Sequence, residues 1–231
     1  MEQYSPPRFN ILPPVCKNLL IINVIAYLAT VVLRTRGIDL TDIFGLHFFM
    51  TESHHIWQYV TYSFLHGSFS HLFFNLFAIW MFGYTLENIW GARKFMVFCL
   101  VAALGAALAQ EITYYFMYSD IVYGGYTMVN LGTHTVPASD FLNSINTIGA
   151  SGIVFGLLAA FGAMFPNSTI YFYFLIPIKT KWFVIGYIVL ELLNGITATG
   201  DGVAHFAHLG GAVAGLILLY IWKKKRDRYR Y

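Results

Sequence analysis

The sequence predicts an all-α membrane protein, a bundle of six transmembrane helices with both termini on the cytoplasmic side. Three observations carry this. Of 231 residues, 58% are hydrophobic and only 11% charged, which leaves too little polar surface to coat a soluble domain. Six apolar segments fall near the length of about 20 residues that crosses a bilayer, at 18–33, 69–88, 95–118, 148–165, 182–198 and 203–222. Basic residues alternate between the connections. Arg8 and Lys17, Arg93 and Lys94, Lys179 and Lys181, and the tail residues Lys223, Lys224, Lys225, Arg226, Arg228 and Arg230 fall on one side, twelve of the fourteen Lys and Arg. Only Arg34 and Arg36 fall on the other, so the positive-inside rule puts the first set in the cytoplasm and points to the plasma membrane.

Each segment has its own justification. The first follows Pro13 and Pro14 and lacks the small-residue cleavage site of a removable signal, so it reads as an uncleaved anchor. The second, fourth and sixth enter from the outer face and carry polar residues close to that end: His71 and Asn75, then Ser151, then His205 and His208. The third is apolar except for polar positions that include Glu111. The fifth is interrupted by Asn194 and Gly195, and the aromatic run 170–178 before it, which contains Pro177, reads as interfacial. The connections 34–68 and 119–147 are too short for a folded soluble domain, so the chain reads as one domain over 1–231. Cys16 and Cys99 lie in or near the inner half of the membrane, where no disulfide is expected. The net charge of +3 is a topology signal, and the basic tail needs no nucleic-acid partner to explain it.

The chemistry lies at the outer ends of three segments. At a rise of about 1.5 Å per residue, His71, Asn75, Ser151 and His208 sit at similar shallow depths. Gly152 and Gly156 in the fourth segment, and Gly211 and Gly215 in the sixth, have the GxxxG spacing that lets two helix backbones approach in lipid. That approach would bring the Ser151 hydroxyl to the His208 imidazole, a nucleophile and base without an acid. The free amides at the helix start carrying Ser151 can donate to a developing oxyanion, with His71 and Asn75 as further donors. His205, three residues before His208, is expected to face the loop or solvent. GxxxG alone is most often packing, and a lone serine most often bonds its own backbone.

These residues resemble the rhomboid family of intramembrane serine proteases. The resemblance covers 57–222 and rests on WQYVTYSFLHGSFSHLFFN (57–75), LENIWGARKF (86–95), GASG (149–152) and AHLGGAVAG (207–215). It implies a six-helix rhomboid-like bundle that cleaves membrane-anchored proteins within or near their transmembrane segments. Ser151 takes the nucleophile position, His208 the general base, His71 and Asn75 the oxyanion side, and His66 a nearby loop position. Gly149, Gly152, Phe155, Gly211 and Gly215 support them. Substrates are membrane proteins with helix-breaking residues and a small side chain at the cut; no cofactor or metal is implied. Two positions depart from the pattern. Some members have Trp-Arg where this chain has Trp57 and Gln58, which loses a cation able to organise the first outer loop. Phe155 stands where a tyrosine is often found, which keeps the ring and loses the hydroxyl.

Phe44, Leu46, Phe48, Phe49, Met50 and Trp57 make the first outer loop amphipathic, suited either to resting in the interface or to packing on the helix tops. Gly195, Gly200 and Gly202 flank the last outer turn, which the resemblance makes a mobile cap and which tight-turn geometry explains equally. Two other function classes are open to the sequence. Glu111 and Glu191 inside spans, with six of eight histidines on the outer side, suit a proton or metal transporter, although no HExxH and no internal repeat is present. The other is a catalytically silent relative that binds membrane helices.

Overall fold

The computed structural model describes residues 9–172, 175–197 and 204–228. Arg8, Gly200, Gly202, Arg230 and the start of the sixth predicted span at 203 lie outside the described residues, as do the side chains of Arg226 and Arg228. The chain runs α1 (Pro14–Arg34), α2 (Leu40–Phe44), β1 (Leu46–His47), α3 (Gln58–Thr61) with a 3-10 turn at Tyr62–Phe64, α4 (Phe69–Trp90) and α5 (Ala92–Tyr123). It continues through β2 (Met128–Asn130), β3 (Thr135–Pro137), α6 (Ala138–Ser144), β4 (Asn146–Thr147), α7 (Ser151–Met164), β5 (Thr169–Phe172), β6 (Ile176–Lys179), α8 (Thr180–Thr197) and α9 (His205–Arg228). Among the described residues, four helices are long and apolar enough to cross a membrane: α1, α4, α5 and the His205–Lys225 part of α9. The chain is therefore a multi-pass helical membrane protein.

Local chemistry sets the helix ends. Pro14 sits at the first position of α1, where a missing N–H costs nothing. The free amides of Val15 and Cys16 there are taken by the buried Glu87 carboxylate of α4, at 2.9 and 2.7 Å, which fastens α1 to α4. Ser68 caps α4 by accepting from the His71 amide at 3.1 Å. Gly91 ends α4 at φ +81°, a conformation that favours glycine, and α5 starts at the next residue. With 32 residues, α5 is roughly 48 Å long and outruns the hydrocarbon core of about 30 Å. Its predicted end at 118 is thus exceeded.

The core sits where α4, α5 and α7 meet, with Ile79, Phe82, Leu86, Phe95, Phe98, Ile153 and Leu157 buried together. Beside it, α5, α7 and α9 touch through small residues. A Cβ added at Gly156 would lie 2.7 Å from the Ala102 Cβ and 3.1 Å from the Gly211 carbonyl oxygen. One at Gly215 would lie 3.3 Å from the Gly156 Cα, and one at Gly210 would lie 2.6 Å from the Gly105 carbonyl oxygen. Gly211 lies directly on the Gly152 backbone. The two GxxxG pairs therefore face each other. A further stripe on α5, including Ala102, Gly105 and Ala106, completes the seam.

One sequence reading gains detail here and one changes. The aromatic run 170–178 forms antiparallel β5 and β6, with Ile170 opposite Ile178 and Tyr171 opposite Pro177; residues 173 and 174 lie outside the described residues. Pairing within the run satisfies backbone groups that a lone interfacial segment would leave to lipid headgroups. Asn194 and Gly195 do not interrupt α8, which continues to Thr197. At Gly195 an added Cβ would lie 3.1 Å from the Phe206 ring, so the glycine marks a close approach of α8 to α9. Cys16 and Cys99 are free thiols.

Candidate active site

Ser151 is the first residue of α7, and its position is set from outside the helix. Strand β1 pairs with β4, Leu46 opposite Thr147 and His47 opposite Asn146, so the connection between α1 and α4 holds the segment just before the serine. The Gly149 amide then donates to the Tyr62 carbonyl at 2.9 Å, and the Tyr62 hydroxyl donates to the Ala103 carbonyl of α5 at 2.8 Å. Gly149 itself has φ +131°, and a Cβ there would lie 2.7 Å from Nε2 of His71. Backbone conformation and space both call for glycine.

Ser151 Oγ is 2.8 Å from Nε2 of His208 on α9. Nδ1 of His208 is 2.9 Å from Oε2 of Glu191 on α8. Nδ1 of His205 reaches the same oxygen at 2.8 Å. All three of Glu191, His205 and His208 are buried. A carboxylate only accepts, so the network assigns the proton of His208 to Nδ1 and leaves Nε2 bare toward the serine. The His208 ring also stacks on Phe155, 4.4 Å between centroids and 7° between planes, and Phe155 stacks in turn on Tyr187 of α8 at 5.0 Å and 8°.

Two expectations are corrected by this geometry. His205 does not face loop or solvent; it is buried against Glu191. The serine and histidine are not without an acid, since Glu191 lies on the far nitrogen. Glu191, His205 and His208 each offer one ligand atom, all within 4.8 Å of one another, and so form a group able to hold a divalent cation.

On the other side of the serine, α4 presents His71 and, one turn further along, Asn75. The His71 ring meets His66 edge-on at 4.8 Å. Burial, with His71 as the second cause, pushes the His66 imidazole down to about 4, which keeps it neutral at physiological pH. Asn75 is buried and its Nδ2 has no hydrogen-bond partner among the described residues. A buried donor without an acceptor is costly and is expected where a ligand will supply the acceptor.

The connection between α1 and α4 is organised by Gln58, not weakened by it. Fully buried, its amide donates to the Ser53 carbonyl at 2.9 Å and the Ile43 carbonyl at 3.3 Å. Its oxygen accepts from the amides of His55 and His47 at 3.1 and 3.3 Å. Glu111 of α5 accepts from the Phe49 amide at 3.0 Å and so ties the same loop to the bundle. Leu46 and Phe48 pack inward, while Phe44, Phe49 and Trp57 stay exposed.

Residues 53–225 match the rhomboid domain profile. The chain belongs to the rhomboid family. Individual rhomboid relatives are distant. YdcA of Bacillus subtilis (strain 168) is 25% identical over 175 residues, covering 74% of this chain and 70% of that protein. Rhomboid protease AarA of Providencia stuartii is 26% identical over 177 residues, covering 70% and 54%. Rhomboid protease GlpG of Serratia proteamaculans (strain 568) is 26% identical over 175 residues, covering 71% and 48%. The chain thus spans about half the length of the two named proteases. Neither Glu191 nor His205 lies in the four motifs that carry the resemblance; their one sequence signal is that both are ionisable residues inside apolar segments, which by default are partnered or functional.

Proposed function

We propose that the protein is an intramembrane serine endopeptidase that cleaves membrane-anchored proteins within or near their transmembrane segments. The observation that carries this is the 2.8 Å contact between Ser151 Oγ and His208 Nε2, with the imidazole proton held on the opposite nitrogen by Glu191. In acylation, Ser151 Oγ bonds to the substrate carbonyl carbon, its proton passes to His208 Nε2, and the carbonyl π pair moves onto oxygen. As the intermediate collapses, the C–N bond breaks and the same proton leaves with the amine. Glu191 takes no proton; it orients the ring and stabilises the imidazolium. Water then repeats the sequence on the acyl-enzyme.

The oxyanion is received by the free amides at the start of α7 and by Asn75 and His71. Gly149, Gly152, Phe155, Gly211 and Gly215 position the dyad. The chain acts as one unit over 1–231, with six spans and both termini in the cytoplasm of the cell that carries it in its plasma membrane. With 14 residues, α7 is roughly 21 Å long and is shorter than the hydrocarbon core. That supports a serine recessed below the outer surface, where a substrate helix can unwind beside lipid.

Purified protein should cleave a model transmembrane substrate and take one fluorophosphonate label, and Ser151→Ala should do neither. A labelled Ser151→Ala variant would refute the assignment. Asn75→Ala should lower turnover by about 10² to 10³, the effect of losing one oxyanion donor, with an unchanged melting temperature. Full activity in a folded Asn75→Ala variant would remove it from the mechanism.

A further inference from the structure

The proteolytic reading uses one imidazole, yet two converge on Glu191. His205 is as buried as His208, and its Nδ1 reaches the same carboxylate oxygen, 2.8 Å against 2.9 Å. The two rings are nearly perpendicular, 87° between planes with centroids 6.3 Å apart, so their Nδ1 atoms approach that oxygen from different directions. Two imidazole nitrogens and a carboxylate oxygen are a common zinc ligand set. A tetrahedral zinc holds its ligand atoms about 3.3 Å apart; here the nitrogen-to-oxygen separations are 2.8 and 2.9 Å, and none of the three atoms is more than 4.8 Å from another. The Glu191 carboxylate is buried with both imidazoles on one of its oxygens, and buried charges of this kind are paired or coordinate a metal.

We propose that Glu191, His205 and His208 form a zinc-binding site whose occupation switches the peptidase off. The inference rests on the proteolytic reading for its consequence, though not for the binding itself. When the Nδ1 lone pair of His208 goes to the metal, the ring proton moves from Nδ1 to Nε2. Nε2 then donates toward Ser151 Oγ and has no lone pair with which to accept the serine proton. The hydrogen-bonded carboxylate selects the base-competent tautomer, and the metal selects the other. The fourth position on the metal is left to water.

The test titrates Zn²⁺ into the purified full chain in detergent, with Mg²⁺ as control, reading binding by calorimetry and zinc K-edge absorption, and function by substrate cleavage and fluorophosphonate labelling. The expected result is one Zn²⁺ per chain with two imidazoles in its shell, loss of cleavage and labelling in step with occupancy, recovery on adding dipicolinate, and no effect of Mg²⁺. His205→Gln, which can still donate to Glu191, should retain most of the basal turnover while Zn²⁺ affinity and inhibition weaken by at least about 10²-fold; loss of even an outer-shell partner typically costs 10- to 100-fold. Equal Zn²⁺ affinity in His205→Gln, a shell without imidazole, undiminished cleavage at full occupancy, or activity abolished by the chelator would each overturn the proposal. If zinc-free protein neither cleaves nor labels, the peptidase reading fails, and calorimetry with absorption still decides the site.

Discussion

His208→Ala is expected to reduce cleavage to background and to abolish fluorophosphonate labelling of Ser151, and Glu191→Gln is expected to lower kcat by about 10³ with little change in KM. Without the imidazole, nothing lies on Ser151 Oγ at 2.8 Å to take its proton. The glutamine variant tests a different quantity. Its amide oxygen can still accept from both Nδ1 atoms, but the negative charge beside the forming imidazolium is gone, and an amide turned the other way favours the wrong tautomer. Replacing the acid by its amide in soluble triads costs up to about 10⁴ in kcat. Glu191 touches no substrate, so the loss falls on kcat. Labelling that persists in His208→Ala, or a kcat within twofold of wild type in a folded Glu191→Gln, would discard the respective role.

Gly211→Val is expected to destabilise the protein by about 3 kcal/mol, at the upper end of overpacking effects, and to remove activity with stability. A side chain at Gly211 runs into the Gly152 backbone, which is main chain and has no rotamer to change. The neighbour of that backbone is Ser151, so even a variant that folds has its nucleophile displaced from His208. Gly186, inside α8, where an added Cβ meets nothing within 4 Å, is the control: Gly186→Ala should leave activity unchanged and stability unchanged or raised by up to about 1 kcal/mol. A Gly211→Val protein that melts and cleaves like wild type would mean that α7 and α9 do not meet there.

Much of the fold was legible because bilayer-length apolar runs carry their own signal. Helices occupy each predicted range, with ends shifted by a few residues, and the paired small residues correctly indicated which faces meet. Ser151 and His208 were legible as a pair because four short motifs pointed to one place. Glu191 was not, because its role exists only across the contact of α8 with α9, and Asn194 and Gly195 made the end of α8 read as broken. His205 was misread for a geometric reason. Three residues turn a helix by about 300°, so two rings cannot point the same way, yet they can reach one atom from perpendicular planes. The pairing of β5 with β6 was missed because two short strands joined within one aromatic run carry no clear alternation of apolar and polar residues.

The connection between α1 and α4 is fastened by the amide of Gln58, at the position where some rhomboids resembling this chain carry a guanidinium. Four hydrogen bonds from uncharged Gln58 hold the segments 43–47 and 53–58 together. A cationic clasp would tighten or slacken with ionic strength and with the anionic lipid content of its leaflet, since charge interactions near a surface are screened within a Debye length of about 8 Å in physiological salt. An amide has no such dependence. The Gln58 clasp is therefore indifferent to the surface charge of the membrane around it, whereas a guanidinium in its place would be retuned by that charge.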